Sequence, residues 1–234
     1  MGEHLQISME NGQTTRAYLA TPAAGTGPGV LVIQEWWGLI DQIRSVCDRF
    51  ADAGWVALAP DLYGGTEVPL NEPDEAAKQM MALRFPEAAK ELANAVDVLA
   101  QRSTGNGIGV IGFCMGGGLA LVVADARPDL VRAVVPCYGV LPWKEAHPTY
   151  EALDAAVLIQ CAELDSSFPP SAAQALAEQL QALGKQVELR VLDGVDHAFF
   201  NEDRPEVYSA EAAARLWTTS LEFLEAHVGA PDLR

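Results

Sequence analysis

Four side chains have the types and order to act on one small molecule: Glu35, Cys114, Asp165 and His197. Cys114 sits in Gly112-Phe113-Cys114-Met115-Gly116-Gly117. The apolar run Ile108-Gly109-Val110-Ile111 before it reads as a buried strand, and Gly118-Leu119-Ala120-Leu121-Val122-Val123-Ala124 after it reads as a buried helix. A reactive residue on a sharp strand-to-helix turn needs very small neighbours, because the backbone there is strained. Gly112 and Gly116 supply them. The turn would lift the sulfur to the N-terminus of a helix, where the dipole and free N–H groups favour a thiolate. Two other readings of the glycines stay open: close packing around an inert cysteine, and a phosphate cradle. The cradle requires G-x-G-x-x-G, and Cys114 stands at its second glycine.

A thiol nucleophile wants a base, and the base wants an orienting acid. His197 follows the last strand-like run, inside Gly194-Val195-Asp196-His197. His4 is near the start of the chain, His147 precedes the candidate acid, and His227 falls in the closing helical run. Asp165 follows another strand-like run and completes the order nucleophile, acid, histidine, with Glu163 as its nearest rival. Glu35 ends the apolar strand Val30-Leu31-Val32-Ile33. A carboxylate where solvent is scarce should have hydrogen-bonding or protonation work, unless it is a solvated loop acid or a partner for Arg44. The backbone N–H groups of Met115 and Trp36 are the expected oxyanion hole.

The elements that must position these groups alternate. Leu5, Ile7 and Met9 alternate with polar residues, Asn11-Gly12 signals a hairpin, and Ala17 and Leu19 continue the pattern. Strands are expected over 30–33, 55–59, 108–111, 131–138, 156–160 and 187–191. Helices are expected over 41–53, 73–83, from 86 onward, 170–183 and 206–226, with a turn at Gly105-Asn106-Gly107. Strands alternating with helices predict an α/β fold. Its sheet is mostly parallel, with helices on both faces and an N-terminal antiparallel hairpin, in one domain over 1–234. Ligands of such sheets bind beyond the carboxyl ends of the strands, which is where all four residues fall.

Composition narrows the partners. The 234 residues carry 15 Lys+Arg against 32 Asp+Glu, a net charge of −17, so nucleic acid and anionic membranes are not expected partners. No apolar run is long enough to span a bilayer, and a signal peptide is not expected. Cys47, Cys114, Cys137 and Cys161 have no paired spacing, which predicts reduced thiols in the cytoplasm, without disulfides or a metal site.

The chain resembles the dienelactone hydrolase family of α/β-hydrolases. The residues that carry the resemblance are Gln34-Glu35-Trp36-Trp37-Gly38, Pro60-Asp61-Leu62-Tyr63, the glycine-flanked Cys114 segment, Tyr138-Gly139-Val140, Asp165 and His197-Ala198-Phe199. The resemblance implies an α/β-hydrolase fold and a Cys114-Asp165-His197 triad. It also implies that Glu35 contacts Cys114 at rest and takes its proton when substrate binds. The implied reaction is hydrolysis of a small lactone or ester without cofactor or metal, by a monomer or small homo-oligomer. An esterase or thioesterase on another acyl group, or a non-catalytic binding protein of the same fold, are the alternatives. Well-known members hold a substrate carboxylate with two arginines and a serine. The corresponding positions here fall near Pro73 and at Asn201 and Ala198. Trp37, Tyr138, Phe199, Arg84 and Arg204 are the candidates for substrate contact, and a preference for neutral esters is expected.

Overall fold

The computed structural model describes residues 2–8, 12 and 14–230. Among these, the strands are β1 (Glu3–Ser8), β2 (Thr14–Ala20), β3 (Pro28–Ile33), β4 (Val56–Pro60), β5 (Thr104–Phe113), β6 (Val131–Cys137), β7 (Ala156–Ala162) and β8 (Val187–Leu192). The helices are α1 (Asp41–Asp52), α2 (Pro73–Ala82), α3 (Phe85–Ala100), α4 (Met115–Ala126), α5 (Pro170–Ala182) and α6 (Ala210–Val228). The expected continuation at Met9 and the turn residue Asn11 lie outside the described residues.

The strands form a mixed sheet in the order β1-β2-β4-β3-β5-β6-β7-β8. β1 pairs antiparallel with β2, and β2 antiparallel with β4; from β4 onward every pairing is parallel. The antiparallel edge shows the period of two read from the sequence. Ile7, Ala17 and Leu19 enter one core, while Tyr18 and Ala20 enter the other. The central parallel strands are buried on both faces, hence their continuous apolar runs, whereas β8 at the edge alternates and is partly exposed. α1 and α6 cover one face, and α3, α4 and α5 cover the other. Buried side chains alternate between the two layers: Val30 and Val32 face one, Leu31 and Ile33 the other.

Two boundaries differ from expectation. β5 begins at Thr104, so Gly105-Asn106-Gly107 belongs to the strand rather than preceding it. Gly105 (φ 100°) and Gly107 (φ 146°) absorb a register shift against β3 there. The last helix begins at Ala210, not Glu206. Ser209 is its N-cap, accepting from the Ala212 N–H at 3.4 Å, and residues 198–208 make a run of short turns instead. Those turns carry Asn201 and Arg204 to the carboxyl end of the sheet.

Candidate active site

β5 ends at Phe113, and α4 begins at Met115, leaving Cys114 alone between strand and helix. Its backbone is at φ 55°, ψ −121°, a strained conformation for a residue with a side chain. Backbone hydrogen bonds hold it there, among them a 3.4 Å bond from the Gly118 N–H to its carbonyl. Its N–H donates to the Cys137 carbonyl at 3.1 Å, and its carbonyl accepts from Gly117 at 2.9 Å and Val140 at 3.0 Å. The glycines are dictated by space. A Cβ on Gly112 would run into the Gly116 carbonyl, and one on Gly116 into the carbonyls of Ile33 and Gln34. Met115 is the first residue of α4, so its N–H has no intrahelical acceptor and is available to a ligand oxygen.

His197 lies in the loop after β8. Its Nδ1 meets Asp165 Oδ2 at 2.7 Å, and the ring lines the same cleft as Cys114. Asp165 is 2 % exposed, and its other oxygen accepts from the N–H groups of Ser167 (2.7 Å) and Phe168 (2.9 Å). Burial works against a charge on Asp165. The bonds and charge of His197 and the two backbone N–H groups outweigh it, and the carboxyl lies below its ordinary pKa. Burial likewise opposes a charge on His197. The hydrogen bond to Asp165 and the neighbouring Cys114 sulfur reverse the balance and push its pKa up to about 10. The rival acid is elsewhere: Glu163 accepts from the Gly194 N–H at 2.8 Å.

Glu35 is 2 % exposed at the end of β3. The adjacent Gln34 side chain accepts from the Leu62 N–H at 3.1 Å, tying this strand end to the segment after β4. Glu35 does not hold the resting thiol as the resemblance implied. Its oxygens accept from the Tyr138 hydroxyl at 3.3 Å and the Asn201 amide at 3.0 Å. A buried carboxylate takes its strongest available donors, and an amide and a phenol outdo a thiol. Burial raises the Glu35 pKa, against the lowering effect of Asn201, His197, Arg204 and Tyr138. Arg44, its other suggested partner, instead pairs with Asp41 and Glu67.

Glu35, Trp36, Cys114, His197, Ala198 and Arg204 line a single cleft of about 420 Å³. Met80 of α2 and Val140-Leu141-Pro142 supply apolar walls. Three of the four described non-glycine residues with positive φ belong to this region: Cys114, Tyr138 (39°) and Ala198 (63°).

The proposed substrate contacts divide. Arg204 reaches the cleft, with its guanidinium 5.6 Å from the Trp37 ring and 2.8 Å from Glu206. Arg84 does not: its side chain is 77 % exposed and pairs with Glu87. Trp37, Tyr138 and Phe199 are buried in the core behind the cleft rather than on its surface. Trp37 packs edge-on against Trp36. The Tyr138 ring sits between His197 and Phe199, and its hydroxyl is spent on Glu35. Large aromatics flanking a site are as readily its foundation as its lining. Sequence reasoning missed the part of Asn201, which stands where the resemblance led one to look for an arginine. It also missed Met80 and Ser167 as lining, since neither has a pattern distinct from an ordinary helix or loop residue.

The profile of the dienelactone hydrolase family matches residues 15–228. The chain belongs to the dienelactone hydrolase family. Among relatives of this dienelactone hydrolase family member, "Protein usf" of Aquifex pyrophilus is 35% identical over 241 residues, covering 97% of this chain and 100% of the relative. A protein of Aquifex aeolicus named "Putative carboxymethylenebutenolidase" is 33% identical, covering 97% and 100%. A solved structure from Klebsiella pneumoniae, described as a "Putative Dienelactone Hydrolase", superposes with a TM-score of 0.84 at 28% identity, covering 95% of this chain and 97% of that one. The fold is that of an α/β-hydrolase.

Proposed function

We propose that the protein hydrolyses a small ester or lactone through a covalent thioester on Cys114, with His197 as general base and acid and Asp165 as its orienting partner. The observation that carries this reading is the strained Cys114 at a helix N-terminus, lining one cleft with a histidine that is itself 2.7 Å from a buried carboxylate. In the first half-reaction the Cys114 sulfur attacks the substrate carbonyl carbon with the proton of the Cys114–His197 pair resting on the imidazole, as the ring's raised pKa favours. The carbonyl oxygen takes up the negative charge between the N–H groups of Met115 and Trp36. His197 then gives its proton to the leaving oxygen as the C–O bond breaks. In a lactone this alcohol stays tethered to the acyl group. In the second half-reaction His197 takes a proton from water, the resulting hydroxide attacks the thioester, and the carboxylic acid departs as the thiol is re-formed.

Glu35 lines the same cleft, and a raised pKa suits it to accept a proton during this cycle. The mostly apolar walls and the Arg204–Glu206 pairing favour a neutral ester over an anionic one. The test is hydrolysis of p-nitrophenyl esters and simple lactones by the parent, Cys114→Ala and iodoacetamide-treated proteins. Turnover lost in both treatments supports the reading; turnover kept in Cys114→Ala overturns it.

A further inference from the structure

A second cavity, about 300 Å³, opens beside the cleft and shares Val140, Leu141 and Ser167 with it. Gly117 and Gly118 of α4 floor it, and Leu121, Tyr150, Phe168 and Leu176 wall it. Its lining contains no charged side chain. The glycine floor is the turn of α4 directly after Cys114, and the Val140 N–H bonds the Cys114 carbonyl at 3.0 Å. The cavity therefore backs onto the elbow itself. Tyr150, at φ 57°, is the fourth described non-glycine residue with positive φ, and the other three surround the cleft. Strain of this kind persists only where surrounding structure over-determines it, and it gathers at ligand sites. The segment between β6 and β7 that carries Val140, Leu141 and Tyr150 is a long irregular connection, of the kind that usually forms a binding wall.

We propose that this cavity is an acyl-group subsite, which makes the substrate an ester or thioester of an apolar aliphatic or aryl-alkyl acid. The inference rests on the hydrolase reading above and extends it to a substrate class. His197 lines the cleft but not the side cavity, and the leaving oxygen must be near His197 to receive its proton. The group left attached to Cys114 therefore has the side cavity on its far flank. Each methylene that moves from water into such a wall is worth a factor of about four in kcat/KM, until the cavity is full.

The experiment uses p-nitrophenyl esters from acetate to decanoate, and a second series of acetate esters with lengthening alcohols. It also uses calorimetric binding of primary amides, acetamide to octanamide, to Cys114→Ala. All are repeated in Leu176→Trp, which fills the cavity from its half-buried rim, and Leu176→Ala, which enlarges it. The expected result is a kcat/KM that climbs with acyl length to a maximum and is flat with alcohol length. The octanoate-to-acetate ratio should fall at least tenfold in Leu176→Trp, and the maximum should move to a longer chain in Leu176→Ala. A flat acyl series, a rising alcohol series, or a profile insensitive to both Leu176 variants overturns the subsite. If no ester is hydrolysed yet amide affinity rises with length and responds to Leu176, the subsite stands as a binding site and the hydrolase reading falls.

Discussion

Of two concavities that hold acids with burial-raised pKa values, the larger lacks the chemistry. A groove of about 740 Å³ runs over Arg16, Asp61, Lys90 and Glu91. Burial raises the pKa of both Asp61 and Glu91, as it does for Glu35 in the 420 Å³ cleft. Among the described residues the groove's lining has no cysteine, histidine or non-glycine residue with positive φ, and Arg16 Nε stands 3.9 Å from Asp61. At the cleft, Cys114 stands with Glu35, which Tyr138 and Asn201 hydrogen-bond, and with His197, which meets Asp165. A shifted pKa reports burial, whereas convergence of groups with different roles is what a reaction needs.

That contrast can be broken by substitution. Cys114→Ala should lower ester kcat/KM by about four orders of magnitude or more while leaving Tm nearly unchanged, and Asp61→Asn in the groove should stay within about twofold. Comparable losses in both would erase the distinction. His197→Gln removes the proton carrier and should cost roughly 10²- to 10⁴-fold in kcat. Asp165→Asn should cost less than His197→Gln, because Asp165 orients without transferring the proton, and Glu163→Gln should be near parent. Steady-state kinetics on one chromogenic ester orders all five variants.

Glu35 sharpens the comparison through pH. Its folded pKa lies above the unfolded one, so the folded state holds the extra proton and stability falls as pH rises from about 4.5 through the folded value. Glu35→Gln removes that loss. Its Tm should match the parent in acid and exceed it at neutral pH, while activity falls. A Tm difference independent of pH would show that Glu35 is not the titrating group. The smallest effect is expected at the rim. Arg204→Ala should change the ratio of rates on a neutral ester and its carboxylate analogue by no more than a few-fold, because Glu206 already occupies the guanidinium. A clear anion preference in the parent, lost in Arg204→Ala, would show that Arg204 recognises a carboxylate.

What the sequence by itself determined is local. Period-two alternation placed the antiparallel edge, continuous apolar runs placed the parallel strands, and glycines around Cys114 marked the elbow, because backbone sterics act over a few residues. The order Cys114, Asp165, His197 after successive strands was legible for the same reason: a parallel sheet sends every strand end to one rim. Only tertiary structure decided which groups touch. Asn201, Tyr138 and Glu35 are far apart in sequence and meet because a buried carboxylate must find donors. Trp37 and Phe199 went inward while Met80 came to the cleft, and Arg204, not Arg84, reached it. No spacing rule encodes those outcomes. They follow from long-range packing, which settles which face of a loop or helix is covered and by what.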